Sequence, residues 1–450
     1  MKSIAIIGGG LSGTLLTINL LKNHKSKEKL KITLIEKEPD KFNLGVAYST
    51  TEFSHLLNVR AGSMSIFKDE AGHLVDWLKR NGYNYQSDDF IPRQVYGFYL
   101  KYYYKKWVSD KPDSITLDVI LEECLNIEKI DHKFELTLET LKIEVDSVVL
   151  ALGHISPAEI HNLPQSSIGR YFRTPWQDLY TKISQKDDVL LIGSGLTSND
   201  IILSLQERHH SGKIYSISRR GHLPLLHSKL EPYPDFHKEL EGKDINEIFS
   251  IVKRHIKSHT DSRPVTDSLR PHTQRIWSGL SNTCKSRFLR HLQSRWNQVR
   301  HRMPLESNLK LKELVDENIL EFLTGKISKI SQVGDKIEVI WEDKLGNSNT
   351  FSCDVVVNCI GPESNYKRIN SPLIKNLLLT KMIQGDVLSV KTSNFNVVDG
   401  FDILNENIFA IGPLLKGELY ESTAVPEIRV QAEKLSKILL QRIKVVSSVN

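Results

Sequence analysis

The feature of this 450-residue chain that most constrains its fold is a glycine pattern near the start, Gly8-x-Gly10-x-x-Gly13. It lies between apolar runs at residues 3–7 and 11–21, which predict a strand and a helix. At such a turn, glycines permit a tight bend, close approach of the backbone to a pyrophosphate, and close packing of helix on sheet. The helix N-terminus adds free N–H groups and the positive end of a dipole. This segment is therefore predicted to bind a dinucleotide.

The residues after this helix support the same interpretation. A second predicted strand, residues 31–35, ends at Glu36, whose carboxylate is placed to accept hydrogen bonds from a ribose hydroxyl. Leu11 and Ser12 in the first helical turn and Lys37 beside Glu36 complete the candidate binding residues of this βαβ unit.

A second unit of the same kind is predicted in mid-chain. Residues 189–192 predict a strand, Gly193-Ser-Gly195 a turn, and residues 199–206 a helix. Ser198 stands where the third glycine of the pattern would be, and serine is small enough to preserve the close packing.

The strand after this second turn ends in basic residues. Residues 213–217 are followed by Ser218, Arg219 and Arg220 instead of an acidic residue. Arginine here would pair with a 2′-phosphate, which favours NADP over NAD. The alternative is that both arginines are merely a solvated strand end.

An internal repeat relates the two halves of the chain. The sequence DSVVLALG at residues 146–153 aligns with DVVVNCIG at residues 354–361, and each follows a run of alternating apolar residues. Each half is therefore predicted to carry an antiparallel meander that feeds a buried parallel strand. The closing glycines, Gly153 and Gly361, would let the chain leave the sheet close to a bound nucleotide.

More specific strings follow the first unit and recur near the C-terminus. They are GVAYST (45–50), HLLNV (55–59), MS (64–65), PRQVYG (92–97), AIGP (410–413) and ELYESTAVPEIR (418–429). With the two dinucleotide units, they resemble the bacterial FAD/NAD(P)-binding proteins that are similar to the N-hydroxylating and flavin-containing monooxygenases.

The resemblance implies an α/β fold with two Rossmann-like dinucleotide-binding domains. The FAD-binding domain would comprise residues 1–180 and 345–450. The NADP-binding domain, residues 181–344, would be inserted in it. A helical insertion within the second domain is expected at about residues 235–310.

The resemblance also implies roles for individual residues. Gly412 and Thr423 would bind the flavin, and the helix that begins near Thr423 would direct its positive dipole end at the flavin ring. Asn58 resembles an asparagine placed beside the reactive edge of the flavin, although it could instead be a loop asparagine that caps a turn. His55 and Arg60 are candidate substrate-binding residues. Arg93 is a candidate for the FAD pyrophosphate or for the substrate.

Composition excludes several other classes of protein. The four cysteines, Cys124, Cys284, Cys353 and Cys359, form no C-x-x-C pair, which argues against a zinc ribbon and a dithiol redox motif and favours a reducing, cytoplasmic location. No run is long enough to predict a membrane span. The histidines suggest no metal site, because carboxylates and cysteines are missing at ligand spacing around them.

The charge distribution is uneven. Residues 251–303 contain twelve Lys/Arg against two Asp/Glu, interleaved with aromatic residues. Such a segment can attract an acidic cofactor or substrate, and nucleic acid is the less favoured partner. Oligomeric state is left open.

Three functions fit these features. The first is an FAD-dependent, NADPH-using monooxygenase that oxidises a small nucleophile such as an amine or an amino-acid-like molecule. The second is an NADPH-dependent flavin reductase or dehydrogenase without oxygen transfer. The third is a flavin-binding sensor or partner protein whose basic insertion contacts another macromolecule.

Overall fold

The computed structural model describes residues 1–155, 157–158, 160, 168–176, 179–259 and 261–447. Its strands, numbered in chain order, are β1 (Lys2–Ile7), β2 (Leu30–Ile35), β3 (Ile115–Ile120), β4 (Cys124–Ile130), β5 (Lys133–Leu138), β6 (Lys142–Val145), β7 (Ser147–Leu150), β8 (Tyr171–Phe172), β9 (Val189–Ile192), β10 (Ile214–Ser218), β11 (Leu320–Val333), β12 (Lys336–Asp343), β13 (Ser348–Cys353), β14 (Val355–Asn358), β15 (Thr392–Ser393), β16 (Asn396–Val398) and β17 (Leu404–Ala410).

The α-helices of the described residues follow the same convention. They are α1 (Leu11–Asn23), α2 (Gly45–Tyr48), α3 (His73–Arg80), α4 (Arg93–Ser109), α5 (Leu196–Glu207), α6 (Ile245–Lys257), α7 (Ser262–Leu269), α8 (Thr273–Ser278), α9 (Asn282–His291), α10 (Gln293–Arg300), α11 (Leu305–Asp316), α12 (Pro372–Leu379), α13 (Lys416–Leu419) and α14 (Val425–Ser447).

The first sheet has seven strands in the order β15-β16-β17-β7-β1-β2-β3. Its five strands from β17 to β3 are parallel, and the central strands β1 and β7 end in buried apolar runs, as expected where a sheet is covered on both faces. Helices α1, α4 and α14 contribute to the same hydrophobic core. The two ends of the chain thus build one domain.

The second sheet also has seven strands, in the order β13-β12-β11-β10-β9-β14-β8. Strands β8, β14, β9, β10 and the start of β11 are parallel, and β11 to β13 form an antiparallel meander. All four residues of β9 and of β14 are buried. The predicted fold class, two Rossmann-like units with one inserted in the other, is confirmed.

The domain boundaries differ from those expected. Strands β13 and β14 belong to the second sheet, so the return to the first domain lies near residue 360 instead of 345. Strand β8 pairs with β14, so the first crossing lies before residue 171 instead of at 180. The physical reason is that β14 fills the position beside β9 that β7 fills beside β1.

The predicted repeat has a structural counterpart. The backbone N–H of Ala151 donates to Ile7 after β7, and that of Cys359 donates to Ile192 after β14. Asp146 bonds Ser3 at the start of β1, and Asp354 bonds Asp188 just before β9. The two halves therefore use the same local contacts to seat the strand beside each dinucleotide turn.

Helices α6 to α11 lie between β10 and β11 and form the helical insertion of the second domain. Part of the insertion has its own apolar core, which also includes Tyr420 from the segment before α14. No helix among the described residues has the length and apolarity needed to cross a membrane.

Candidate cofactor sites and the seam between the domains

The first dinucleotide turn is closely packed against its own sheet. Gly8 has φ +107°, and a Cβ there would lie 2.3 Å from the carbonyl oxygen of Ala151. A Cβ on Gly13 would lie 2.0 Å from the carbonyl oxygen of Gly8. A side chain at either position would force β1, β7 and α1 apart.

Helix α1 begins with free backbone donors. Its N-cap residue is Gly10, no side chain caps the helix, and no acidic residue lies in its first turn, where Leu11 and Ser12 are located. The N–H groups and the dipole are therefore available to an anion such as a pyrophosphate. The missing Cβ of Gly10 faces Gly45, at 3.1 Å from its Cα, so this glycine also permits a backbone contact within the protein.

Glu36 lies directly at the turn. One carboxylate oxygen accepts from the N–H of Gly9 at 2.8 Å, and the other accepts from the N–H of Glu38 at 3.0 Å. Its predicted ribose-binding role stays a prediction. Lys37 is oriented toward Glu123, with Nζ 3.4 Å from the carboxylate.

The C-terminal segment closes over the same turn. Gly412 has φ +76°, and a Cβ there would lie 2.3 Å from Oγ of Ser12. Its N–H donates to Oε1 of Gln431, whose Nε2 is buried without a partner among the described residues. Oγ of Ser422, directly before Thr423, is likewise buried without one. These unpartnered polar atoms, together with the free donors of α1, fit a polar cofactor such as FAD.

The second turn repeats the first with one change. Gly193 has φ +124°, and a Cβ there would lie 2.9 Å from the carbonyl oxygen of Cys359. Gly195 is the N-cap of α5, again without a side-chain cap or an acidic residue in the first turn. Ser198 is fully buried, and its hydroxyl lies 3.3 Å from that of Ser216. This turn therefore accommodates a serine at its third position.

The two arginines after β10 have different surroundings. Arg220 donates to the carbonyl oxygen of Arg290 at 2.6 Å and so ties the strand end to helix α9. Arg219 is exposed and has no such bond among the described residues. Arg219 is thus the better candidate for a 2′-phosphate, while Arg220 has a structural bond.

Gly153 and Gly361 lie in the two crossings between the domains. A Cβ on either would meet no atom within 4 Å, so both are surrounded by open space. Next to them, the N–H of Ala158 donates to the carbonyl oxygen of Gly361, and Pro157 pairs with Pro362. The two connecting segments therefore run side by side.

Arg93 does not have the expected surroundings of a pyrophosphate ligand. It forms an ion pair with Asp200 of α5, with a nitrogen–oxygen distance of 2.9 Å and side-chain exposures of 14% and 9%. Its Nε also donates to the carbonyl oxygen of Leu56. The structure thus uses Arg93 to join the two domains.

The two predicted substrate residues also have protein partners. His55 is 2% exposed and lies between Thr50 and Ser204, at 2.8 and 2.9 Å from their hydroxyls, so it does not line an open site. Burial holds its pKa below the usual value. Arg60 donates to the carbonyl oxygen of Asp88 and lies over the ring of Phe90.

Asn58 lies where the two domains meet. It lines a cavity of about 10 Å³ together with Arg93, Asp200 and Met303. Its carbonyl oxygen accepts from Nε2 of His227 at 3.0 Å. The position between the first domain and the N-terminal half of α5 is compatible with a role near a flavin edge, which stays a prediction.

A polar seam that the sequence analysis missed joins the domains along α5. Asp200, Ser204 and Arg208 lie four residues apart, so they share one face of the helix. They contact Arg93, His55 and Glu52 of the first domain respectively, and Arg208 binds Glu52 through two nitrogens at 2.5 and 2.9 Å. The sequence does contain a signal for this seam: polar residues recur every four positions on a helix that is expected to pack against a sheet.

The cysteines offer no redox pair. All four are free. Burial raises the pKa of Cys124 and of Cys353 to about 12 and also raises that of Cys359, so these three are protonated thiols at neutral pH.

One cluster bears on the expectation that no metal is bound. Asp235, His237 and His272 lie within 4.8 Å of one another through their ligand atoms. The two imidazole rings stack at 3.6 Å, and each lies within about 3 Å of the exposed Asp235 carboxylate. This carboxylate already serves both histidines as a hydrogen-bond acceptor.

The comparisons with known proteins agree with this architecture. Residues 5–155 match the family model described as FAD-NAD(P)-binding. None of the curated proteins compared with the chain matches it. Among solved structures, ornithine N-hydroxylase from Kutzneria sp. 744 aligns over 99% of this chain and 100% of its own, with 13% identity and a TM-score of 0.67.

Two further solved structures are similar over almost the whole chain. L-lysine 6-monooxygenase from Pseudomonas syringae aligns over 98% of this chain and 99% of its own, with 16% identity and a TM-score of 0.67. Bacillithiol disulfide reductase from Staphylococcus aureus has the same coverage, 15% identity and a TM-score of 0.54. The family model thus matches residues 5–155 alone, and the chain as a whole shares the fold of these solved structures, with two dinucleotide-binding units.

Proposed function

We propose that this protein is an FAD-dependent monooxygenase that uses NADPH to oxidise a small nucleophilic substrate, an amine or an amino-acid-like molecule. The observation that carries the proposal is the likeness to amine N-hydroxylases along the full length of both chains, with TM-scores of 0.67 against 0.54 and 0.56 for two bacillithiol disulfide reductases. Fold likeness alone does not identify a reaction, so the residues must support it.

The cysteines argue against the disulfide-reductase alternative. Reduction of a disulfide requires a thiolate that attacks sulfur, and the thiols of Cys124, Cys353 and Cys359 are held protonated by burial. The remaining cysteine, Cys284, is free. Electrons from NADPH would therefore leave the protein by another route.

The chain's own residues would arrange the two cofactors. FAD, when bound, accepts a hydride from NADPH and supplies the chemistry with oxygen. The α1 N-terminus would hold its pyrophosphate and Glu36 its ribose, and Ser422 and Thr423, just before α14, would face its ring. Gly193, Gly195 and the N-terminus of α5 would hold the NADPH pyrophosphate, with Arg219 at the 2′-phosphate.

The polar seam would hold the two cofactor sites in one relative orientation. Three contacts along one face of α5 join it to the first domain, including the nearly buried Arg93–Asp200 pair. Fixed orientation favours hydride transfer, because the reacting atoms must be held close and aligned. Asn58, at the end of this seam, would lie beside the reaction and position the oxygen or substrate.

The experiment is a balance of products with the FAD-loaded protein. Ornithine, lysine and cadaverine are each incubated with NADPH and oxygen, and NADPH consumed, peroxide released and hydroxylated amine formed are measured. We expect at least one amine to yield hydroxylated product with less peroxide than NADPH consumed. Peroxide equal to NADPH with every amine would replace the proposal with the flavin-reductase alternative.

Asn58→Ala tests the residue proposed at the centre of the site. The fraction of NADPH that ends as peroxide should rise several-fold, while the rate of flavin reduction by NADPH should change little. Asn349→Ala, on the edge strand β13 of the second sheet, is the matched control and should behave as the unaltered protein. Equal losses in both steps would assign Asn58 a structural role.

A further inference from the structure

The helical insertion lines an open apolar cavity that contains none of the candidate cofactor-binding residues. Its volume is about 420 Å³, within the range of sites for drug-sized ligands. One wall is helix α6, and the opposite walls come from α7 to α10 and Tyr420. The described fold thus contains a space for a small molecule. One of its lining residues, His222, lies beside the second dinucleotide turn, where its carbonyl oxygen accepts from Oγ of Ser194.

Helix α6 presents an apolar face to this space. Ile245, Ile248, Val252 and Ile256 follow the three-to-four-residue spacing of one helix face and line the cavity. Packed protein interiors rarely leave such a volume between apolar side chains, because the lost contacts are costly. An apolar ligand would restore those contacts.

The aromatic wall is only partly covered by protein. Phe288 and Trp296 line the cavity and remain partly exposed. The indole nitrogen of Trp296 is satisfied by Glu421 at 3.1 Å, so its ring can offer an apolar face to a ligand.

The charged residues of the cavity have one sign. Lys253 and Arg295 line it and are exposed, and no aspartate or glutamate belongs to its lining. An anionic group could therefore pair with two cations, and the nearby carboxylate of Glu421 is already bonded to the indole of Trp296.

Tyr420 connects the cavity to the segment that faces the predicted flavin site. Its ring packs against Trp277 and Phe288, with centroids 4.7 and 5.3 Å away. Its backbone has φ +60° and ψ −62°, a rare and strained turn for a non-glycine residue, and it stands three residues before Thr423. A strained backbone conformation persists only where surrounding contacts hold it in place. Here those contacts come from the insertion, through Trp277 and Phe288.

We propose that this cavity binds an elongated apolar molecule with an anionic head, its tail between α6 and the aromatic wall and its head at Lys253 and Arg295. The ligand class is that of a medium-chain carboxylate. The inference does not rest on the proposed oxidation of an amine, because the cavity belongs to the insertion and its occupancy can be measured without turnover.

Calorimetric titration of the FAD-loaded protein with hexanoate, octanoate, decanoate and neutral decanol tests the proposal. We expect saturable binding that tightens about fourfold for each added methylene, as burial of apolar groups predicts. Removing both rim cations in Lys253→Ala/Arg295→Ala should weaken decanoate about tenfold and leave decanol unchanged. Lys257→Ala, on the same helix but outside the lining, is the matched control and should bind as the unaltered protein.

Filling the cavity gives an independent result. Val252→Trp should weaken decanoate and decanol alike by more than tenfold, while the flavin spectrum reports an intact fold. Binding without dependence on chain length, or unchanged binding in both sets of variants, would overturn the proposal. Direct competition between NADP⁺ and decanoate would overturn it too, since the cavity would then belong to the nucleotide site.

Discussion

The two dinucleotide turns share a skeleton but differ in how tightly the rest of the protein encloses them. The first turn has Gly45 against Gly10 and Gly412 against Ser12, so two distant segments close over it. At the second turn, a Cβ on Gly195 would meet nothing within 4 Å. The difference suits a cofactor that stays bound at the first turn and one that exchanges at the second.

The third position of the pattern shows the same contrast. At Gly13, a Cβ would overlap the carbonyl oxygen of Gly8, whereas Ser198 carries its side chain into a small polar contact with Ser216. Helix α1 is therefore seated closer to its turn than α5 is. The same sequence pattern therefore occurs with two packing distances: one excludes a side chain at the third position, and the other accommodates a serine there.

Exchanging the residues at these third positions should produce the largest effect. Gly13→Ser is expected to abolish FAD binding, because the new Cβ would lie 2.0 Å from a backbone oxygen that cannot move independently of β1. Ser198→Gly should lower the free energy of unfolding by only about 1 to 2 kcal/mol, through lost helix propensity and one buried hydrogen bond. The flavin content of the purified protein tests Gly13→Ser, and denaturant unfolding tests Ser198→Gly. Full flavin occupancy in Gly13→Ser would show that the two turns are equivalent.

Breaking the seam should have the next largest effect. Asp200→Ala leaves the guanidinium of Arg93 nearly buried without its partner, which typically costs about 3 to 5 kcal/mol of unfolding free energy. The double variant Arg93→Met/Asp200→Leu should recover most of this loss, because no uncompensated charge remains. Urea unfolding compares the variants. If the single variant is as stable as the unaltered protein, the pair does not hold the domains together.

The second turn's cofactor preference should depend on one arginine more than on its neighbour. A charge-assisted bond to the 2′-phosphate contributes about 1.5 to 3 kcal/mol, or roughly tenfold to a hundredfold in affinity. Arg219→Ala should therefore remove most of the preference for NADPH over NADH. Arg220→Ala should have the smaller effect, since that side chain is bonded to Arg290. Dissociation constants for both nucleotides decide between them, and the reverse order would contradict the assignment.

A smaller effect is expected from pH. Burial lowers the pKa of His227 from 6.5 to about 4, so between these values the unfolded chain binds more protons than the folded one. Stability should fall as pH drops from about 6.5 toward 4, and His227→Gln should reduce this slope. His132→Gln, at an exposed hairpin position, is the control and should leave the slope unchanged.

Both dinucleotide units could be predicted because their signals are local. Glycines between an apolar strand and an apolar helix determine the turn wherever the unit lies, and β9 was predicted with the bounds it has. The sheet to which β14 belongs was harder to predict. Its sequence resembles that of β7, but which sheet receives it depends on the partner strand, and that is decided by the tertiary fold.

The protein partners of the candidate site residues could be predicted less well than the fold. Arg93 and His55 were assigned to ligands because they are polar residues in family-like strings, yet each has a buried protein partner on α5. A sequence shows that a residue can bind an anion or a hydroxyl, but the partner of each residue comes from a helix more than a hundred residues away. The apolar cavity could not be predicted either. The spacing of apolar residues in α6 predicts that the helix has an apolar face, but it does not predict which residues pack against that face.

Anaerobic reduction tests the central claim, that the first turn holds FAD and the second delivers NADPH to it. The FAD-loaded protein is mixed with increasing NADPH without oxygen, and loss of the oxidised flavin absorbance is followed. We predict complete reduction by NADPH, with Arg219→Ala requiring at least about tenfold more nucleotide for the same rate while its flavin content is unchanged. Flavin that stays oxidised at saturating NADPH would contradict the account.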